Sequence, residues 1–393
     1  MKFVTKFIFI LLPVFSFTQN PGDNFFSSSQ VQNLNILVSI PNFWDILTDN
    51  EVNGDKNDTN IYIPATVVID ADTLNNVGLR LKGNSSFGHP GMKKPIKLKF
   101  NEYVQGQEYD GLKQLEFSNG YLDPTMMREK LFLDFLNQRG IAAPRCIFAK
   151  VYYNNEYVGV YKAIEPVDKT FLKTRFNNNG ANLFSGDPNG TLEWKGYYQE
   201  DYYQFYELKT NEIANDWSDL MSLINAVNDF SNFENRIEKH LNVQPYIQAW
   251  AANNLFVNLD SYMYLAHNYF LYHNTTSEKF EWITWDVSLA FGVFPFFWNE
   301  RRLTEFSIDF LPTLSNRHPL NVNLLYSEKY RSAYFNYMCD YLHNDFTEAK
   351  LFPKIDSLAA ILRPLIAAEP DSNQMFTEEE FEGGLEYETY KKF

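Results

Sequence analysis

The stretch VGLRLKGNSSFGHPGMKKPIKLKF, residues 77–100, reads as strand, glycine-containing loop, strand. In its second strand Ile96, Leu98 and Phe100 point one way and Lys97 and Lys99 the other, the period-two pattern of a half-buried sheet. Upstream, Val31 to Val38, Ile61 to Ile69 and Asn76 to Lys82 are similar short runs separated by Asn, Asp and Gly. Downstream, Leu122 to Arg139 predicts a helix, with Asp123 as N-cap, Pro124 at the first position and Gly140 as the stop. Cys146 to Tyr153 and Tyr157 to Ile164 predict a hairpin around Asn154-Asn155.

Past the link Glu165 to Asp168 the pattern turns helical, over Trp217 to Val227, Phe233 to His240, Pro245 to Asn258, Ser327 to His343 and Lys350 to Ala368. A hairpin around Asn274 to Phe280 interrupts these helices, and an acidic tail begins at Glu378. The expectation is an α+β chain with a β-rich part over 19–164 carrying one main helix, a hinge at 165–168 and a mostly helical part over 169–393. A cleft between two such parts is a natural ligand site.

A formal charge of -15 repels nucleic acid and anionic membrane, so neither is an expected partner. Residues 1–18 read as an export signal: Lys2 and Lys6, an apolar run from Phe7 to Phe17, and the small residues Ser16 and Thr18 before a cleavage near Gln19. The apolar run falls short of the roughly 20 residues a membrane span needs. A secreted or surface location follows, with no stable membrane span after cleavage. Cys146 and Cys339 have no zinc spacing and are expected as two buried thiols.

Two acids stand alone in aromatic-rich sequence. Asp260 is the only Asp, Glu, Lys or Arg between Lys239 and Glu278, and Asp286 the only one between Glu281 and Glu300. A buried unpaired carboxylate costs several kcal/mol, so each needs a cation, strong hydrogen bonds or a water-lined cleft. With Asn268 they form a set suited to a catalytic base and a magnesium site, beside His267, which reads more readily as a core histidine than as a catalyst; a helix-end carboxylate at Asp260 and a buried structural acid at Asp286 are the alternatives. The glycines Gly83, Gly88 and Gly91, with Asn84, Ser85 and Ser86, could approach phosphate; a surface hairpin with solvated lysines is the alternative. Arg128 or Glu129 could orient a strand lysine, or belong to an ordinary charged helix face. Glu165 could bond a nucleotide or brace the hinge.

The stretches VGLRLKGNSSFGHPGMKKPIKLKF, VYYNNEYVGVYKAIEPVDKTFL, NLDSYMYLAHNYFLYHN and WITWDVSLAFG, in this order, resemble the CotH kinase family. The resemblance implies an atypical, two-lobed protein-kinase-like fold that binds ATP with Mg2+ or Mn2+ and phosphorylates Ser or Thr of secreted or coat proteins. It implies that Gly83, Asn84 and Ser85 cover the phosphates, that Lys94 or Lys97 contacts them, and that Arg128 or Glu129 is the helix partner. Asp260 is then the catalytic base, with Asn268 and Asp286 on the metal. The chain departs from the family pattern with Lys82 before the loop and Ser288 where a second acid is common. A non-catalytic surface or matrix binding protein on the same fold is the alternative function, and a carboxylate-pair hydrolase is a weaker third.

Overall fold

The computed structural model describes residues 19–27, 30–57, 60–294, 306–311 and 317–385. The expected export signal at 1–18 and the end of the aromatic run from Pro295 lie outside the described residues. The fold is α+β. Strands β1 (Gln32–Leu37), β2 (Ile63–Ile69), β3 (Asp72–Leu81), β4 (Ile96–Lys99), β5 (Gln114–Ser118), β6 (Cys146–Tyr153) and β7 (Glu156–Ile164) close into a barrel in the order β1-β2-β3-β4-β5-β7-β6. Closure, through the parallel pairing of β1 with β6, leaves the barrel no free edge.

Alternation decides which side chains fill the barrel. Ile96 and Leu98 of β4, Leu115 and Phe117 of β5, Ala149 and Val151 of β6, and Tyr161 and Ala163 of β7 point inward. The complementary outer row places Arg80, Lys97 and Glu116 side by side across β3, β4 and β5. The predicted hairpin is present: Asn154 (φ +49°) and Asn155 (φ +69°) both take the left-handed conformation that a two-residue turn between twisted strands requires.

Helices α1 (Asp23–Ser27) and α2 (Phe43–Asn57) precede or interrupt the early strands. Helix α3 (Arg128–Gln138) starts later than its sequence suggests. Leu122 (φ +58°) and Met126 (φ +62°) break the backbone before it, and Asp123 is not the N-cap. Its carboxylate instead accepts from the backbone N–H of Thr125 and Arg128, fastening the turn that leads into α3.

After the link, α4 (Lys169–Phe176) is capped by Asp168, whose side chain accepts from the N–H groups of Thr170 and Phe171. Then come β8 (Leu183–Ser185), β9 (Glu207–Leu208), α5 (Ser218–Val227), α6 (Phe233–His240), α7 (Val243–Leu255), β10 (Tyr269–Asn274) and β11 (Lys279–Thr284). Helices α8 (Pro319–Tyr326), α9 (Glu328–Asn344), α10 (Glu348–Ala367) and α11 (Glu378–Gly383) complete the described chain. Strands β11-β10-β8-β9 form a second sheet in that order. The larger core joins this sheet to the helices and takes in Phe132 and Leu136 of α3. Phe132 stacks on Phe256 at 4.4 Å between ring centroids, tying α3 to the end of α7. Cys146 is buried as expected, but Cys339 is exposed on α9. No helix among the described residues is long and apolar enough to cross a membrane.

Candidate active site

The hairpin of β10 and β11 brings two of the singled-out residues together. Asn268 immediately precedes β10, Asp286 lies two residues past β11, and the N–H of Trp285 donates to the Asn268 carbonyl at 3.1 Å. Both Asn268 (φ +59°) and Asp286 (φ +43°) sit in the left-handed region, which short polar side chains tolerate best. Asp260 lies in the loop after α7. Asn268 Nδ2 donates to the Asp260 carbonyl at 2.8 Å, and His267 Nε2 is 2.7 Å from Asp260 Oδ1.

Asp187 joins this group without having been flagged by the sequence. Strand β8 pairs with β10, and the residues just beyond it bring Asp187 Oδ1 within 3.3 Å of the Asn268 N–H and 3.8 Å of His267 Nδ1. His267 therefore stands between two carboxylates. Burial works against its charged form, but the hydrogen bond and charge of Asp260, then Asp187 and Asp286, raise its pKa above the ordinary value. Of the two isolated acids, Asp260 is supported by His267 and half-buried. Asp286 is exposed and accepts from Ser288 Oγ at 2.8 Å, so it opens on water.

The strand lysine that meets the helix is neither Lys94 nor Lys97. Glu129 of α3 meets Lys162 of β7 at 3.0 Å, and Lys162 is 0% exposed. Lys162 is also 3.7 Å from Asp123, which Arg128 holds at 3.2 Å. Both lysines face outward, but α3 packs over Phe148 and Val160 beside Lys162, whereas Lys97 sits on β4 next to Glu116. Burial would discharge Lys162, but Glu129 and Asp123 overcome this and raise its pKa. Burial pushes Glu129 upward, Lys162 opposes this, and the charge of Asp286 adds to the rise.

Lys97 and Lys82 both bind Glu116, Lys97 at 2.9 Å. Burial alone would raise Glu116, but the two lysines hold its carboxyl well below the usual range. Lys82 also stands 5.8 Å from the ring centre of Trp285, next to Asp286. Gly83 (φ +102°), Asn84 and Ser85 open a loop that continues as a 3-10 turn over Ser85–Gly88. A Cβ on Gly83 would fall 2.4 Å from Ser86 Oγ, so the turn requires glycine there. Lys94 Nζ is spent on the loop's own carbonyls, Phe87 at 2.8 Å and His89. Glu165 has both carboxylate oxygens engaged, by Arg145 at 2.7 Å and Arg175 at 2.8 Å, which is the hinge-bracing alternative.

Among the described residues no three His, Cys, Asp or Glu side chains converge as a metal cage. Magnesium needs no such cage: it binds through one or two protein oxygens, substrate phosphates and water. Asp286 and the Asn268 side-chain oxygen are hard donors of that type, and Asn268 Nδ2 is already committed to Asp260. The donor set fits a cation that arrives with phosphate.

Sequence comparison adds two findings. The CotH family, described as CotH kinase protein, matches residues 79–393. The chain is 26% identical over 275 residues to the protein of Bacillus subtilis (strain 168) named inner spore coat protein H, an alignment that covers 68% of this chain and 73% of that protein.

Proposed function

Because this chain belongs to the CotH kinase protein family, we propose that it is an exported, two-lobed, kinase-like phosphotransferase acting on Ser or Thr of coat or surface proteins. The observation that carries this reading is the buried Lys162–Glu129 pair that joins β7 to α3. A lysine fixed by a helix glutamate beside a metal-binding aspartate is the recurring arrangement for gripping transferable phosphate. The barrel with α3 corresponds to the smaller lobe, and the helices with the second sheet to the larger.

Asp260 is the general base. Its Oδ1 is taken by His267, which leaves Oδ2 to receive the proton of the acceptor hydroxyl. The acceptor oxygen forms its bond to the γ-phosphorus as the bond to the bridging oxygen of ADP breaks. Asn268 and Asp286 would hold Mg2+ or Mn2+, which neutralises phosphate charge when bound. Gly83, Asn84 and Ser85 cover the nucleotide phosphates, and Lys162, wholly buried behind them, acts on the phosphates through its charge. The name of the Bacillus subtilis relative supports a coat or surface setting.

Calorimetry of ATP binding with and without Mg2+ tests the reading. Wild type should bind only with metal, and Asp286→Ala should lose the metal-dependent part. One observation favours a second reading, a non-catalytic surface binding protein: where a second acid is common the chain has Ser288, and its hydroxyl engages Asp286. That reading predicts no metal-linked nucleotide binding.

A further inference from the structure

The glycine loop is gripped by the far end of the chain. Lys93, buried within it, donates to both carboxylate oxygens of Glu369 at 2.7 and 2.9 Å, and both side chains are almost wholly buried. Glu369 lies two residues past α10, and its Oε1 also accepts the N–H of Val160 in β7 at 2.8 Å. Four residues on, Asn373 accepts the N–H of Met92 at 2.9 Å and donates to the Val158 carbonyl at 3.0 Å. The fit is tight from both sides. A Cβ on Gly91 would lie 2.2 Å from Asn373 Oδ1, and one on Gly159 would lie 2.8 Å from Glu369 Oε1. Asn119, fully buried in the barrel part, completes the hold by donating to the carbonyls of Ser86 at 3.0 Å and Lys93 at 2.9 Å.

We propose that residues 369–374 are a positioning element for the phosphate site: Glu369 and Asn373 fix loop 83–94 as a preset cradle rather than a free lid. This rests on reading loop 83–94 as the phosphate-covering loop. The buried pair is chosen for the task by its geometry. Glu369 fastens the loop lysine and the strand that carries Lys162 through the same oxygen. The loop and the strand thereby keep one relative position, and a substrate need not order the loop on binding.

The test uses the full chain and three variants: Glu369→Gln, Asn373→Ala and Tyr157→Phe. Tyr157 donates to the Leu365 carbonyl at 3.0 Å, so its change removes a bond to α10 without touching the loop. Amide hydrogen exchange over 83–94 is read first, without nucleotide. Glu369→Gln and Asn373→Ala should each speed it by about tenfold or more, and Tyr157→Phe should not. In phosphate transfer, the KM for ATP should rise by a similar factor in the first two, with kcat little changed and Glu369→Asp closer to wild type. Unchanged exchange in folded Glu369→Gln and Asn373→Ala overturns the proposal, as does an equal effect from Tyr157→Phe. If wild type binds no nucleotide, the kinase reading fails and the cradle role falls with it, while the exchange comparison still decides whether the latch exists.

Discussion

Lys162 and Glu129 meet at 3.0 Å with the lysine shut off from solvent, joining the last barrel strand to helix α3. Such a pair is costly to form and costly to break by halves. Lys162→Met should lower unfolding free energy by about 3–5 kcal/mol, because it strands a buried glutamate. Lys162→Met combined with Glu129→Leu should recover most of that loss in urea denaturation without restoring nucleotide binding. Equal stability of the single and double variants would show that the pair is not a coupled unit.

The stacked rings of Phe132 and Phe256 connect α3 to the segment that leads into Asp260. Phe256→Ala removes a buried ring and should cost about 3–5 kcal/mol. It should also weaken phosphate transfer at temperatures where the variant is fully folded, because Asp260 lies four residues on. A destabilised variant with undiminished turnover would separate this packing from the site.

Much of the framework was legible. The alternation of Ile96, Lys97, Leu98 and Lys99 gave the facing of β4, and Asn154-Asn155 gave the turn between β6 and β7. Barrel closure was not legible, because the pairing of β1 with β6 leaves no local pattern; β5 alternates over Gln114–Ser118 but is only five residues long. The acid pair around Asn268 was readable from isolation of charge. Lys162 offered the same cue, a lone charge in YVGVYKAI, yet Lys97 drew attention as part of a lysine-rich strand. Asp187 had no such cue, since SGDPNG reads as an ordinary turn; only the pairing of β8 with β10 brings it to the site. The hold of Glu369 on Lys93 spans 276 residues, beyond any local pattern.

His89 predicts a pH effect. Burial, then the charge of Lys93, lowers its pKa from 6.5 to about 4, and as the neutral ring it donates from Nδ1 to the Pro90 carbonyl. The folded chain thus binds this proton less readily than the unfolded one. The stability tied to neutral His89 is complete above pH 6.5 and lost as pH falls toward about 4. Thermal midpoints measured across that window should fall less steeply in His89→Leu; parallel slopes would remove His89 from the account.

Glu116 acts at lower pH. Lys82 and Lys97 outweigh its burial and depress its pKa below the ordinary 4.5, so its contribution is complete above 4.5 and lost as pH drops through the folded value. Glu116→Gln should flatten the stability profile below pH 4.5 and leave its shape above that unchanged. An unaltered acid limb would mean that the two lysines do not hold this carboxylate in solution.

The most direct measurement is transfer of labelled phosphate from ATP to an acceptor protein, with Mg2+ or Mn2+, by residues 19–393 and by Asp260→Ala and Asp286→Ala with folding verified. The account predicts labelling by wild type and a loss of at least about 100-fold in both variants. Labelling that survives both changes, or none from a well-folded wild type supplied with metal, would contradict it.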